Sequence, residues 1–330
     1  MRYFAQNIAQ LKFYLRDFRY GIGSFLPCHK YLCCRPRGGL ADTFAQISKC
    51  LLYAQAHQRI LLVDAANAGQ LHRLHDYFQV HSSARRFVHL VDSFNTSMPG
   101  RDDLSVFPAV DGRDLDSLFP VYDQSANAHI DPVSSNVITF NFNEKYRHDI
   151  LFHEQCGSGA SWNVFERLVL ASNARAAILS RLQMLPPRFN AIHIRNTDLI
   201  TNYPDQLIAL MPKLLASSLP VLLCTDNPNT FRSSQALLEG IDVFSIYPFP
   251  IGSEQVRASP LHYNPATHGW DGDIALLSDL LALALSQELF TLRLENGSFS
   301  GFSSLAQDLH SRPWILGRLF GSAIASLLRH

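Results

Sequence analysis

The sequence predicts an α/β protein with two Rossmann-like domains facing a cleft. Two observations carry that reading. Short apolar runs rich in β-branched residues alternate with segments of helical periodicity, the pattern of a parallel sheet with crossover helices. The 330 residues are also long for one core and comfortable for two.

In the first half, "KYLCC" (30–34) reads as a strand and "RPRGG" (35–39) as a Gly/Pro loop. Leu40, Phe44, Ile47, Leu51 and Ala54 then recur at spacings of three and four, an amphipathic helix. "RILLVDA" (59–65) is a buried strand ending in a carboxylate, which completes one βαβ unit. An irregular stretch follows, with "RFVHLVD" and "VITFNF" as short strand candidates. "DILFHEQCGSG" (149–159) is a strand running into a Gly/Ser turn, and residues 161–185 read as helix. "LPPRFN" (185–190) breaks that helix and is the expected domain boundary.

The second half alternates more cleanly. Strands "AIHI" (191–194), "VLLC" (221–224) and "DVFSI" (242–246) are separated by helices around 204–217 and 230–238. A Pro/Gly loop runs to about residue 270 and leads to an apolar helix (273–287), then strand "LFTLR" (289–293). "LENGSFSG" turns into a helix over 302–310. The expected organisation is residues 1–185 as one α/β domain, 186–310 as a second, Rossmann-like domain, and 311–330 as a C-terminal amphipathic helix.

Composition excludes several classes. Lys plus Arg equals Asp plus Glu at 28 each, so no net charge draws the chain to nucleic acid. The six cysteines show no paired CxxC spacing, which argues against a zinc knuckle and for a reducing compartment. No stretch reaches the ~20 apolar residues of a spanning helix, and no signal peptide is visible. The expected location is cytoplasmic. The helix over 312–330 carries Arg312, Arg318 and Arg329 and leaves peripheral contact with the inner membrane face open as an alternative to packing.

Ligands of open α/β sheets sit beyond the carboxyl ends of the strands. Three unusual loops leave such ends here: Arg195–Asn196–Thr197–Asp198, Thr225–Asp226–Asn227, and Glu295 through Ser300. They supply a cation, carboxylates, hydroxyls and the N–H groups of a helix start, a combination suited to phosphate. No GxxxxGK[ST] P-loop is present.

"HIRNTD" (193–198) resembles the His-x-Arg-x-x-Asp motif of the fucosyltransferase superfamily, which groups α1,2- and α1,6-fucosyltransferases with protein O-fucosyltransferases; the Arg-x-Thr-Asp form is nearest to the α1,6 type. "LLCTDNP", "DLLALALSQELF…NGSFSGFSSLA" and "RGGLADTFAQISKCLLYAQAHQRILLVD" are similar to three further motifs, in family order, over residues 35–306. The resemblance implies a GT-B-like fold in which residues 1–185 are the acceptor-side domain, residues 186–310 bind the nucleotide sugar, and the last helix crosses back to the first domain. It also implies inverting, metal-independent transfer from GDP-fucose. Arg195 matches the arginine on the leaving β-phosphate and Asp198 a carboxylate supporting it. Asp226 and Asn227 match a nucleoside-contacting pair, and Ser298 and Ser300 the serines near the pyrophosphate. His193, Thr197, Thr225, Phe299, Gly38 and Gly39 lie within the matched motifs. An acidic residue before the third motif corresponds to Asp279 or Asp273. Asn196 stands where the family has a second basic residue.

Negative charge grows on the leaving diphosphate in such a transfer, and Arg195 with helix N–H groups can meet it by fixed electrostatics. "DGD" (271–273) and "DLD" (114–116) have the Asp-x-Asp form of metal-dependent transferases, but neither follows a suitable strand. The acceptor hydroxyl needs a base. Asp42, just after Gly38–Gly39, is the first candidate; Glu154 and His153 are the others. Bland roles compete: His193 as a core histidine, Asp226 as a helix N-cap, Ser298 and Ser300 as caps. The expected partners are a nucleotide-sugar donor, with no cofactor or metal, and an oligosaccharide or lipid-linked glycan acceptor. Transfer from GDP-mannose and a silent carbohydrate-binding scaffold are the alternatives.

Overall fold

The computed structural model describes residues 30–92, 104–109, 120–246 and 269–326, with side chains through Ala323. The aromatic-rich segment 1–27, "DLD" at 114–116, the Pro/Gly loop before residue 269, and Arg329 lie outside the described residues. Chain contacts divide the protein into two compact units. The first runs to Arg167; the second takes Leu168 onward together with Gly39–Ala41 and Gly69–Leu71.

The first unit is built on five parallel strands: β1 (Lys30–Cys34), β2 (Arg59–Asp64), β4 (Val88–Val91), β5 (Val106–Phe107) and β8 (Ile150–His153). They form one sheet of order β4-β2-β1-β8-β5. Helix α1 (Leu40–Ala56) makes the β1–β2 crossover. Its predicted face buries Leu40, Phe44, Ile47, Leu51 and Ala54, and Phe44 meets Phe165 at 4.5 Å between ring centres. The central strands are buried along nearly their whole length, as a sheet covered on both faces requires. A four-residue helix α2 (Leu74–Tyr77), strand β3 (Phe78–Val80) and an antiparallel pair, β6 (Val121–Asp123) with β7 (Ala128–Ile130), complete the described part.

"VITFNF" forms no strand among the described residues. Val137 makes only an isolated bridge to Ile130. The Thr139 hydroxyl accepts the His129 N–H at 2.7 Å, so a side chain stands in for the next ladder bond. Ile138 and Phe140 are nevertheless buried.

The second unit holds four parallel strands: β10 (Asn190–Ile194), β11 (Val221–Thr225), β12 (Val243–Phe244) and β13 (Leu289–Thr291). Their order in the sheet is β12-β11-β10-β13. The helices are α3 (Ser172–Leu182), α4 (Tyr203–Ser217), α5 (Pro228–Leu237), α6 (Trp270–Leu285), α7 (Gly301–His310) and α8 (Pro313–Phe320). Ile192, Ile194, Val221 and Leu223 pack with Leu207 and Leu214 of α4 on one face. Residues 191 and 193 point the other way, since side chains alternate along a strand. There α6 packs on β10 and β11, and α7 packs on β13 and on α6.

Two further elements differ from expectation. The helix expected over 161–185 is three pieces: a 3-10 turn (Asn163–Glu166), strand β9 (Leu168–Leu170) and α3. Leu168 and Leu170 are buried while Val169 is less so, the period of two that a strand imposes. Because α3 packs against α6, the chain joins the second unit at Leu168, ahead of the Pro-Pro break. The helix expected over 312–330 stops at Phe320, where Gly321 adopts φ +62°, a left-handed conformation that ends helices. Ile315, Leu316, Leu319 and Phe320 are fully buried, so the apolar face of α8 is used inside the protein. Among the described residues no helix is long and apolar enough to cross a membrane.

Candidate functional site

The second unit gathers its polar residues at the carboxyl ends of β10 and β11. These strands run parallel in register, Ile194 opposite Thr225, so the loops that follow leave the sheet side by side. Arg195 extends from the β10 end. Its Nη1 donates to Asp226 Oδ2 at 2.5 Å and its Nη2 to Asp198 Oδ1 at 2.6 Å. The Thr197 hydroxyl lies 2.8 Å from Asp226 Oδ2 and 3.0 Å from Asp198 Oδ1. The Asn196 N–H donates to Asp226 Oδ1 at 3.2 Å. Four residues expected at the site, Arg195, Thr197, Asp198 and Asp226, thus meet in one hydrogen-bonded knot.

The knot rests on a second layer. Asn227, not Asp226, caps α5: its Oδ1 accepts from the N–H groups of Asn229 and Thr230, while its amide donates to the Asn196 carbonyl at 3.0 Å. That corrects the capping role considered for Asp226, whose carboxylate is committed to Arg195. The Thr225 hydroxyl accepts the Asn227 N–H at 3.3 Å. Asn196 turns its side-chain amide to the Thr230 hydroxyl at 2.8 Å and accepts from the Thr201 N–H. It holds the loop together. Burial alone pushes the Asp198 carboxyl up, but the Arg195 charge and the Thr197 hydroxyl outweigh this and hold it below the ordinary carboxylate range.

His193 is buried beneath this knot, and its Nδ1 lies 2.7 Å from the Ser303 hydroxyl. Ser300, the N-cap of α7, accepts from the Ser303 N–H at 3.1 Å and donates to the Ser303 hydroxyl at 3.0 Å. Ser303 thus links the cap of α7 to His193 Nδ1. Burial first, and the Arg195 charge second, push the imidazole down to about 3, so His193 is neutral. The Phe302 ring sits 4.9 Å from it.

The other candidates do not join this knot. The Ser298 hydroxyl turns to Asn296 Oδ1 at 2.6 Å, in an exposed setting. Phe299 lies under the Arg293 guanidinium at 4.4 Å. Asp279, on α6, is bonded to the Cys224 thiol of β11. Burial raises its carboxyl to about 7 and drives the thiol well above its ordinary value; Oδ1 of Asp279 has no partner among the described residues.

In the first unit, Asp42 lies in the first turn of α1, where a carboxylate complements the helix dipole. Gly38 takes φ +95°, and a Cβ there would fall 2.7 Å from Cys156 Sγ and 3.0 Å from Asp42 Oδ2. This Gly is required by conformation and by space. Gly39 follows it, directly before α1. Burial, then the Asp42 carboxylate, raises the Cys156 thiol.

Glu154 is sealed among cations. Arg37 donates to its Oε1 at 2.6 and 2.9 Å, Asn67 donates there at 2.8 Å, and Arg35 reaches Oε2 at 3.4 Å and Asp64 at 3.2 Å. His153 lies buried with Nε2 at 2.8 Å from Gln46 Oε1, and burial lowers it to about 3. The Gln46 amide in turn donates to the Gly157 carbonyl. Both serve as struts of the loop ends, a poor setting for a base that must take up a proton. Arg37 and Ser303 fall inside two of the matched motifs, yet nothing in the sequence marks them, Arg35 or Thr230 for the parts they play beyond the charged residues straddling a strand end in "CCRPRGG".

No family model matches the chain, and no curated protein matches its sequence. Solved structures do match. The fucosyltransferase NodZ from Bradyrhizobium aligns with TM-score 0.54 at 17% identity, over 85% of this chain and 93% of that one. NodZ α-1,6-fucosyltransferase co-crystallized with GDP gives 0.52 at 16%, over 85% and 92%. POFUT1 in its apo-form gives 0.50 at 11%, over 87% and 96%. The chain thus has the GT-B-like α/β fold of NodZ and POFUT1.

Proposed function

We propose that this protein is an inverting glycosyltransferase that moves fucose from GDP-fucose to a hydroxyl of a glycan acceptor without a metal. The observation that carries the reading is Arg195. Its guanidinium is fixed by two carboxylates at the end of an interior parallel strand, where α/β sheets bind ligands. These bonds use two of its five N–H donors. On this reading the donor's diphosphate meets the guanidinium from its more exposed, Asp198 side, with the capped start of α7 nearby through the His193–Ser303 bond. NodZ, whose fold this chain shares, has been crystallised with GDP and soaked with GDP-fucose.

The chemistry follows from charge. As the glycosidic bond breaks, negative charge moves onto the leaving diphosphate, and a preorganised cation lowers the barrier. Asp42 is the proposed base. Of the three candidates it is the partly exposed carboxylate, whereas Glu154 and His153 are buried. It takes the acceptor proton late in the reaction. His193 stays neutral and holds α7 in place.

The experiment is calorimetric titration of GDP in EDTA on the wild type and Arg195→Ala. Binding that survives EDTA and drops about a hundredfold or more in the variant supports the reading, and GDP-fucose turnover follows. Tighter binding of UDP changes the donor, and competition by GDP-mannose separates the sugars. Silence with GDP, UDP and CDP leaves a scaffold.

A further inference from the structure

The two carboxylates on Arg195 differ in how they are held. Asp226 has a side chain 7% exposed, and its bonds come from backbone and side chains anchored at the sheet: Arg195, Thr197 and the Asn196 N–H. Asp198 is 36% exposed and rides on the loop three residues after Arg195. Arg195 itself is 16% exposed. Solvent therefore reaches the guanidinium on the Asp198 side more readily than on the Asp226 side.

Charge and proton counting point the same way. One guanidinium faces two carboxylates, so the trio carries a net negative charge. The Thr197 hydroxyl is within bonding distance of both carboxylates but has one proton to give. The knot is thus short of positive charge and of donors before any ligand arrives. Asn196 supplies no second cation, being a neutral amide, and its side chain is already bonded to Thr230 and Thr201. A diphosphate brought to Arg195 would add further negative charge beside Asp198, a repulsion that is strong at these distances.

We infer that Asp198 is a built-in competitor of the donor's diphosphate for Arg195. It holds Nη2 while the site is empty, swings away when the diphosphate binds, and returns as the nucleoside diphosphate leaves. Asp226 has the opposite role: it orients the guanidinium in both states. Asp198 then limits donor affinity and hastens product release. The inference rests on the reading of this strand end as the diphosphate site, and it reverses the supporting role that the family resemblance implies for this carboxylate.

The test uses the full chain with three probes: GDP, inorganic pyrophosphate and guanosine. Asp198→Asn keeps the side chain's shape and removes its charge. It is expected to tighten GDP and pyrophosphate by about tenfold, to leave guanosine unchanged, and to slow GDP release. Asp226→Asn is expected to weaken GDP and pyrophosphate. Thermal unfolding of each variant checks that the fold survives, and Asp198→Ser serves as a second substitution if Asn unfolds. Unchanged or weaker binding of both anions in the Asp198 variants, with wild type binding GDP, overturns the inference and leaves the proposed function intact. Pyrophosphate tightened by Asp198→Asn, with GDP binding no better than pyrophosphate, upholds the competitor and removes the nucleotide reading. No binding of either anion to any form overturns both.

Discussion

His193 Nδ1 and the Ser303 hydroxyl lie 2.7 Å apart, and this bond joins an interior strand of the second sheet to the first turn of α7. Replacing Ser303 by Ala or Val strands a buried ring nitrogen. The expected cost is about 1–3 kcal/mol of stability, read by denaturant unfolding, whereas Ser303→Thr, which retains the hydroxyl, should cost less.

Acid sensitivity follows from two histidines. His193 and His153 are both pushed from an ordinary value of 6.5 to about 3 by burial. Their folded forms stay neutral while the unfolded chain takes up protons below 6.5. Stability from these groups is complete above pH ~6.5 and falls as pH drops toward ~3. Unfolding free energy measured across that window should decline with a slope approaching two protons, less any opposing groups; a flat profile would contradict the buried neutral state.

Asp279 is such an opposing group. Its carboxyl is raised from 3.8 to about 7, mainly by burial. A raised acid favours folding below pH ~4, and that advantage is lost as pH climbs to ~7. Asp279→Asn should therefore gain stability on the wild type as pH rises. The gain at pH ~8 is at most about 4 kcal/mol, since each tenfold change in proton affinity corresponds to ~1.4 kcal/mol. Paired melts at pH ~5 and pH ~8 measure it. Equal melting differences at both pH values would count against a buried carboxylate paired with the Cys224 thiol.

If Asp42 is the base, Asp42→Asn should lower turnover with GDP-fucose by about 10²–10⁴-fold. GDP affinity should stay put, since Asp42, in the first turn of α1, is no part of the Arg195 knot. Turnover within a fewfold of wild type would remove Asp42 from the mechanism.

Gly38→Ala should behave differently. It forces a Cβ to within 2.7 Å of Cys156 Sγ in a left-handed conformation. A loss of roughly 1–3 kcal/mol in stability is expected, with turnover falling as Asp42 is displaced. Cys156→Ala in the same chain should recover the Cys156 part of the clash and leave the Asp42 and backbone parts, which a double-mutant cycle separates.

Much of this was legible because parallel strands and amphipathic helices announce themselves by period. α1, α4 and α7 begin and end within a few residues of where spacing puts them. "HIRNTD" and "TDN" could be placed beside each other because consecutive parallel strands end on the same rim. What hid was anything decided by one hydrogen bond. Asp226 and Asn227 are neighbours with similar side chains; only the fold chooses which caps α5 and which binds Arg195. Ser303 looked like an ordinary helix residue until the strand beneath it brought His193. The three-residue strand Leu168–Leu170 was too short for its period to stand out from the helical residues that follow.

The burial of α8 bears on how the protein is made. Ile315, Leu316, Leu319 and Phe320 complete the interior of the second unit, yet a ribosome adds them long after strand β9, on which α8 packs. Strand β9 and helix α6 emerge well before α8 and must wait with apolar surface uncovered. Translation that halts near Arg312 would leave that surface open for good, a hazard for aggregation in the cell.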